Sequence, residues 1–372
     1  MTSSWREWAE RETAVIHDAG RWRAPRDFDA TGPEGKLAPD GRPVVSFASN
    51  DYFGLTQHPQ VVAAARAALD RWGAGSGSAR LIVGSRPVHS ELEAALAAWK
   101  GEEAAVLFPT GFAANLGAIT AFAGTGVFVA SDELNHASII DACRLARATT
   151  AVFPHRDIAA LDALLTERRE QRLAVVTDTV FSMDGDTTDV DALVDVCARH
   201  DALLIVDEAH AALGPHPDLS PIAHLRVGTL SKMLGALGGF VAGSRPFVDL
   251  IVNRARSYIF TTAPTPADTA AALAAVRVMQ SNEGDALVAR LQALVEMVRP
   301  GHPSPIIPFM CGDEQRALDA AAALLERGVL VPAIRPPTVA PGTSRLRVAL
   351  SAAHTDAQVA LLLDSLRDLA LA

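Results

Sequence analysis

The stretch 203–235 reads LLIVDEAHAALGPHPDLSPIAHLRVGTLSKMLG, and it decides the fold class of the chain. It begins with a short and uniformly apolar run, 203–206, which is typical of a parallel strand buried on both faces. The run ends at Asp207, His210 follows three residues later, and a second short run leads to Lys232. Ligands of open α/β sheets bind beyond the carboxyl ends of the strands. The stretch therefore predicts that a carboxylate, an imidazole and an amine meet at one edge of such a sheet.

Two other interpretations of this stretch have to be weighed. Asp-Glu-Ala-His after an apolar strand is also typical of the magnesium site of helicase-type ATPases, which need a Gly-x-x-x-x-Gly-Lys-Ser/Thr loop for the phosphates. The only Gly-Lys pair is Gly35-Lys36, and the leucine that follows it excludes such a loop. The other interpretation is that Asp207 only caps a helix and that Lys232 lies on the surface. The polar residues in the rest of the chain argue against it.

The composition is that of a globular protein with an acidic surface. The chain has 372 residues, of which 49% are hydrophobic and 20% are charged, and its formal net charge is -10 at pH 7. This length suits one large α/β domain with a smaller companion. The acidic balance argues against a nucleic-acid partner, whose binding surface would be basic.

The cysteines and the longest uncharged run help to predict the cellular compartment of the protein and whether it enters a membrane. Cys143, Cys197 and Cys311 are odd in number and widely spaced, so neither a disulfide framework nor a metal-binding pattern follows, and we expect a cytoplasmic protein. Charged residues near the N-terminus argue against a signal peptide. The uncharged run 104–131 is interrupted by a proline, an asparagine and four glycines. We interpret it as strand, turn, helix and strand, and we expect no membrane partner.

The order of the segments predicts how the chain is organised. Between about residues 103 and 244, strand-like and helix-like segments alternate at βαβ spacing, which predicts an α/β fold with a mostly parallel sheet. Before them, an amphipathic helix at 5–16 and a loose arm as far as Pro43 are expected. One mostly continuous helix is expected at 267–297, and a small α+β unit follows it. We therefore predict an N-terminal helix and arm (1–45), a large domain (46–282) and a small C-terminal α+β domain (283–372).

Three turns at predicted strand ends carry polar groups that can hold a ligand. Gly111 lies at a strand-to-helix junction, where free N–H groups and the helix dipole suit a phosphate, although many such turns bind no anion. His136 follows the strand 126–131, so its ring can stack on a flat aromatic group; a histidine that is merely part of a helix cap is the alternative. Ser182 follows the strand 173–177 and can hydrogen-bond a ring substituent, or serve only as a turn residue.

A further turn, near the C-terminus, predicts a carboxylate site. Arg335 precedes two prolines and Thr338, and a guanidinium held on such a stiff turn is suited to clamping a carboxylate. A surface arginine is the alternative. Together with Asp207 and Lys232, these groups are what amino-acid chemistry on pyridoxal phosphate requires: a lysine for the Schiff base and a carboxylate facing the pyridinium nitrogen.

Several segments resemble the α-oxoamine synthases in one unbroken order. They are NDYFGL (50–55), TGFAAN (110–115), LNHASIIDA (134–142), VFSMDGD (180–186), VDEAH (206–210), TLSKMLG (229–235) and IRPPTVAPGTSRLRVALSAAH (334–354). These enzymes are fold-type I pyridoxal-phosphate transferases that join an amino acid to an acyl thioester with loss of CO2. The resemblance implies that fold, with a mostly parallel sheet in the large domain.

The segment 334–339 is similar to one branch of that family, which condenses L-alanine with a pimeloyl thioester in biotin biosynthesis. A sibling synthase that uses glycine or serine with another acyl-CoA is the alternative. A non-catalytic protein of the same fold is less consistent with an intact Lys232, Asp207 and His136.

The resemblance also implies roles for individual residues. Lys232 would carry the cofactor as a Schiff base and move the Cα proton, Asp207 would keep the ring nitrogen protonated, and His136 would stack on the ring. The cofactor-binding residues would be Gly111, Phe112, His136, Ser182, Asp207, His210, Thr229, Lys232 and, in a homodimer with its active sites at the interface, Thr262. The substrate-binding residues would be Arg21, Asn50, His136, Arg335 and Thr338. The chain departs from the family at 211–213, where glycines are usual.

Overall fold

The computed structural model describes residues 3–371. The strands are β1 (Phe28–Ala30), β2 (Glu34–Leu37), β3 (Arg42–Ser46), β4 (Ala104–Phe108), β5 (Val127–Asp132), β6 (Thr149–Phe153), β7 (Arg172–Asp178), β8 (Ala202–Asp207), β9 (His224–Thr229), β10 (Gly239–Gly243), β11 (Ile306–Gly312), β12 (Val329–Leu330), β13 (Ala333–Ile334) and β14 (Ser344–Ala349). The α-helices are α1 (Ser4–Asp18), α2 (Pro59–Trp72), α3 (Pro87–Lys100), α4 (Gly111–Phe122), α5 (Ala137–Leu145), α6 (Ile158–Thr166), α7 (Val190–His200), α8 (Arg245–Arg254), α9 (Arg256–Ile259), α10 (Pro266–Met279), α11 (Asn282–Val298), α12 (Glu314–Glu326) and α13 (Asp356–Asp368).

The largest sheet confirms the predicted α/β fold. Its strand order is β4-β10-β9-β8-β7-β5-β6, where β10 runs antiparallel to both of its neighbours and the pairs among the other strands are parallel. A parallel sheet is covered by helices on both faces, which explains the uniformly apolar strands. The register pairs Asp178 of β7 with Asp207 of β8, and β9 ends beside them at Thr229. Three neighbouring strands thus deliver polar residues to one edge.

The N-terminal arm is more ordered than the sequence predicted. The expected helix is present as α1, which buries none of its residues, but the region expected to be a loose arm contains the antiparallel strands β1 and β2, and β2 pairs with β3 at the end of the arm. Strand β3 also pairs in parallel with β12, near the other end of the chain. A long-range pairing of this kind leaves little local signal. The predicted domain boundaries stay a prediction.

The predicted long helix at 267–297 is wrong in one respect, because the chain forms two helices there, α10 and α11. Gln280 and Ser281 separate them, and Ser281 occupies the N-cap position of α11. The Ser281 hydroxyl donates to the carbonyl oxygen of Val278 at 2.7 Å, and a serine that competes for backbone hydrogen bonds in this way is unfavourable inside a helix. Within residues 3–371, none of the helices is long and apolar enough to cross a membrane.

A small sheet near the C-terminus lies against the large sheet's polar edge. Its strand order is β11-β14-β13. Two arginines of β14 reach the turn after β7: Arg347 Nε donates to the carbonyl oxygen of Ser182 at 2.5 Å, and Arg345 pairs with Asp184. One buried apolar cluster spans both parts of the molecule, since it contains Phe240 of β10 and Leu346 of β14. The small sheet is therefore held in a defined position relative to the site.

Candidate active site

A cavity of about 210 Å³ lies beyond the carboxyl ends of β7, β8 and β9. Larger cavities exist elsewhere, but this cavity is lined by the titratable residues that the sequence analysis predicted to form the site. The predicted residues that line it are Gly111, Phe112, His136, Asp207, His210, Thr229 and Lys232. The residues that sequence reasoning did not assign a role, but that also line it, include Thr110, Asn115, Ser138, Asp178 and Ser231. The predicted residues outside its lining are Arg21, Asn50, Ser182, Thr262, Arg335 and Thr338.

Asp207 is buried and held in one orientation. Its Oδ2 accepts a hydrogen bond of 2.6 Å from Asn115 Nδ2, and its Oδ1 accepts one of 2.8 Å from the backbone N–H of Ala209. Asn115 also donates to Ser138 Oγ at 2.9 Å. Each carboxylate oxygen has further lone-pair capacity, which suits a protonated ring nitrogen. Asn115 closes the TGFAAN segment, and that position was the available sequence signal.

Lys232 begins a chain of hydrogen bonds that leaves the cavity. Its Nζ lies 2.7 Å from His210 Nε2, and His210 Nδ1 lies 2.6 Å from the hydroxyl of Tyr52. The Tyr52 hydroxyl in turn donates to Asn50 Oδ1 at 3.2 Å. The single proton of the Tyr52 hydroxyl goes to Asn50, so His210 donates from Nδ1 to Tyr52 and accepts at Nε2 from Lys232. Tyr52 is missing from the predicted set, although it lies in the NDYFGL segment.

Burial is the main cause of the shifted pKa values among the groups of this hydrogen-bond network. It lowers the pKa of Lys232, and the carboxylates of Asp207 and Asp178 oppose that effect only in part. Burial, followed by the nearby Lys232 cation, lowers the pKa of His210 well below its ordinary value. His210 is therefore neutral at pH 7, as the donor order above requires. Burial and the Asp207 carboxylate raise the pKa of Asp178 well above its usual range.

The N-terminus of α4 forms an anion site at one end of the cavity. Thr110 Oγ1 caps the helix by accepting from the N–H of Ala113 at 3.0 Å. The first-turn N–H groups of Gly111 and Phe112 have no partner within the helix and are free for a ligand. A Cβ at position 111 would lie 3.1 Å from Thr229 Cβ, so glycine keeps this approach open.

His136 lines the cavity and is held by two neighbouring polar groups. Its backbone N–H donates to Asp178 Oδ2 at 2.8 Å, and its Nδ1 lies 2.7 Å from Ser138 Oγ. The ring of Phe112 meets it edge-on, with 6.5 Å between the centroids. These contacts hold the imidazole by one edge, which leaves a face of the ring available for stacking.

Arg347 is a nearby cation that sequence reasoning did not assign. Besides its bond to Ser182, its Nη2 donates to Asn50 Oδ1 at 3.1 Å, and the residue is only 6% exposed. Its positive charge contributes to the lowered pKa of Lys232 and to that of His210, where burial is the largest cause in both cases. Arg347 therefore lies within electrostatic reach of the cavity.

The other predicted substrate residues lie farther out. Arg335 Nη1 is 3.7 Å from one carboxylate oxygen of Glu314, and Arg21 Nη2 is 3.4 Å from the other. Thr338 is exposed on the same turn as Arg335, and Thr262 is exposed after α9. The structure brings Arg21 and Arg335 to one carboxylate but does not bring either into the lining of the cavity that contains Lys232.

This arrangement fits one kind of cofactor. An anion site, a buried carboxylate, a stacking imidazole and a lysine of lowered pKa suit the phosphate, ring nitrogen, ring face and aldehyde of pyridoxal phosphate. The fold and the site thus define a fold-type I pyridoxal-phosphate enzyme. Lys232, Asp207 and the N-terminus of α4 are the groups that would hold the cofactor.

Comparison with known proteins shows to which family of pyridoxal-phosphate enzymes the chain belongs. The family model for aminotransferase class I and II matches residues 42–366. The 8-amino-7-oxononanoate synthase of Anaeromyxobacter dehalogenans is 50% identical over 95% of this chain and 93% of the relative. The enzyme of the same name from Methylobacterium nodulans is 46% identical over 99% and 98%. The chain belongs to the aminotransferase class I and II family and, within it, to the 8-amino-7-oxononanoate synthases.

Solved structures agree with this assignment at the level of the fold. A serine palmitoyltransferase from Sphingomonas wittichii is 31% identical, with a TM-score of 0.89 over 98% of this chain and 97% of that one. A serine palmitoyltransferase from S. paucimobilis, solved with pyridoxal phosphate and myriocin, is 29% identical, with a TM-score of 0.91 over 100% of both chains. The predicted fold class and the predicted cofactor are confirmed.

Proposed function

We propose that the protein condenses L-alanine with a pimeloyl thioester, with loss of CO2, to form 8-amino-7-oxononanoate in biotin biosynthesis. The observation that carries this proposal is the near full-length identity of up to 50% to enzymes of that name. The residues that line the cofactor cavity support it, because a chain that had lost the reaction would not need Lys232, Asp207 and His136 around one cavity.

The geometry supports a division of labour among the residues. Pyridoxal phosphate, when bound, supplies the electron sink for chemistry at Cα. The lowered pKa of Lys232 favours a neutral amine that can take the Cα proton. His210 orients that amine from 2.7 Å, and Asp207 keeps a negative charge at the ring nitrogen. His136 covers one face of the site and limits the access of water.

Two arginines are available for the alanine carboxylate. Arg335 remains one candidate for binding this carboxylate. Arg347 is the second candidate, because its charge lies close enough to Lys232 to affect the pKa of that lysine. The fork of a guanidinium holds a carboxylate by two bonds, which lysine cannot reproduce. We expect Arg347→Lys to raise the KM for alanine about tenfold, and Arg335→Lys to raise it less because Glu314 already engages that side chain.

These variants are measured by varying alanine and thioester separately in the steady state. Arg290→Lys is the control, since Arg290 binds Asp356 and the backbone of His354 outside the cavity. A rise in the thioester KM alone would assign the altered arginine to the acyl chain instead. Unchanged constants in Arg347→Lys would exclude that residue from substrate binding.

Mass spectrometry of the product tests the reaction itself. The protein is incubated with L-alanine, glycine or serine and a panel of acyl thioesters, as acyl-CoA and as acyl-carrier-protein forms. We expect 8-amino-7-oxononanoate from alanine and the pimeloyl thioester as the preferred product. The structural similarity to serine palmitoyltransferases favours one alternative, condensation of serine or glycine with another acyl-CoA. A dominant product from either amino acid would establish that alternative.

We also propose a homodimer located in the cytoplasm. An exposed apolar patch supports the dimer. It consists of the π-helix Arg80–Gly84, where Ile82 and Val83 are 74% and 69% exposed, and of Phe260, which is 69% exposed and caps the C-terminus of α9, the helix that contacts the π-helix. Patches of this kind mark protein interfaces. Thr262, which we expect to approach the cofactor phosphate of the second subunit, lies two residues after Phe260. The three cysteines are buried free thiols, which suits a reducing compartment.

A further inference from the structure

His155 bridges two carboxylates behind the active site. Its Nδ1 lies 2.9 Å from Asp132 Oδ1, and its Nε2 lies 2.9 Å from Asp186 Oδ2. An ionised carboxylate only accepts hydrogen bonds, so both ring nitrogens must carry a proton and donate. Burial alone lowers the pKa of His155, but its bonds to the two carboxylates reverse that effect and raise the pKa to about 9. The residue is thus an imidazolium ion at neutral pH.

The first carboxylate belongs to the turn 132–136, which leads to His136. Asp132 Oδ1 also accepts from the backbone N–H of Leu134 at 2.8 Å, and its Oδ2 accepts from that of Arg156 at 2.9 Å. Asp132 therefore fixes the path of the backbone just before His136, and His155 binds the same oxygen, Oδ1, that accepts from Leu134.

The second carboxylate belongs to the turn 181–186. Phe181 and Asp186 close this turn through a backbone hydrogen bond of 3.0 Å, and the ring of Phe181 meets His155 edge-on, with 4.3 Å between the centroids. Arg156 Nη1 adds a second bond to Asp186 Oδ2 at 3.0 Å. His155 and Arg156, which lie in the loop after β6, therefore bind this turn at Asp186, whereas Arg347 of β14 binds it at Ser182.

We propose that His155 is a positioning residue that ties the turn 132–136 to the turn 181–186 and so sets the spacing between His136 and Ser182 across the cofactor site. His155 itself does not line the cavity. A neutral side chain with one donor group cannot hold both carboxylates, so loss of the imidazolium releases one turn from the other. The inference rests on the proposed cofactor-binding roles of His136 and Ser182.

The test is a titration of pyridoxal phosphate into the apo-protein, followed by visible absorption. His155→Gln removes the charge and leaves a single donor nitrogen in place of the two on opposite sides of the ring, so we expect the Kd for the cofactor to rise about tenfold or more. His200→Gln is the matched control. His200 Nε2 lies 2.8 Å from Asp162 Oδ1, its side chain is 17% exposed against 21% for His155, and it joins α6 to α7 away from the cavity. We expect this control to bind the cofactor as the wild type does.

Three results would overturn the proposal. One is a wild-type Kd in His155→Gln together with a lower urea midpoint, which would leave His155 a purely structural role. The second is an equal loss of affinity in His200→Gln. The third result concerns a second variant, which is used if His155→Gln does not fold. Asp186→Asn removes the negative charge that faces His155 Nε2 at nearly constant size, and an unchanged Kd for the cofactor in this variant would also overturn the proposal. No substrate takes part, so an error in the assigned reaction would leave these results unchanged.

Discussion

Among single residues, Asp207 is the one whose charge we expect to matter most. It is 6% exposed and fixed by Asn115 and Ala209, so Asp207→Asn removes the charge at nearly constant shape. A carboxylate beside the ring nitrogen favours the protonated ring, which draws electrons from Cα. We expect exchange of the alanine Cα proton with deuterated solvent to fall about 100-fold or more, while the cofactor still binds. NMR without thioester measures this exchange, and near-normal exchange in the holo-variant would refute the role.

Among the elements, the turn 181–186 follows β7 of the large sheet and is bound by β14 of the small sheet. Gly185 has a φ of +68°, and a Cβ there would overlap the carbonyl oxygen of Ile306 on β11. The left-handed conformation alone costs a non-glycine residue about 1–2 kcal/mol. We expect Gly185→Ala to lower the free energy of unfolding by more than that, as measured by urea denaturation. Gly342→Ala is the control, because Gly342 has a φ of +78° and no atoms near its missing Cβ. Equal losses would mean that the turn can move away from β11.

For the whole molecule, the exposed patch formed by the π-helix and Phe260 predicts self-association. A charge buried in an apolar interface is costly, so Ile82→Asp should shift the protein from dimer to monomer. Sedimentation velocity measures the change, and the wild type should sediment with twice the chain mass. Leu361→Asp on α13 is the control, since Leu361 is 40% exposed and lies outside the patch. A monomeric wild type, or an unchanged Ile82→Asp dimer, would contradict this interface.

The sequence by itself determined the α/β class and the centre of the site. Uniformly apolar runs identify strands buried on both faces, and the carboxyl ends of parallel strands meet at one edge whatever the details of packing. Asp207 and Lys232 could therefore be placed together without a structure, and Gly111 followed from a strand-to-helix junction. The resemblance to known enzymes then supplied roles that spacing alone could not.

Only the tertiary structure decided which side chains reach one another over long separations. Arg347 meets Asn50 across 297 positions, and His155 meets Asp186 across 31. The strands of the arm belong here too, because β3 finds its parallel partner β12 near the other end of the chain. Local patterns report the preferences of a few neighbouring residues, whereas these contacts depend on how sheets and turns pack. For the same reason Arg347, Tyr52 and Asn115 were missed, although each lies in a segment that the sequence had singled out.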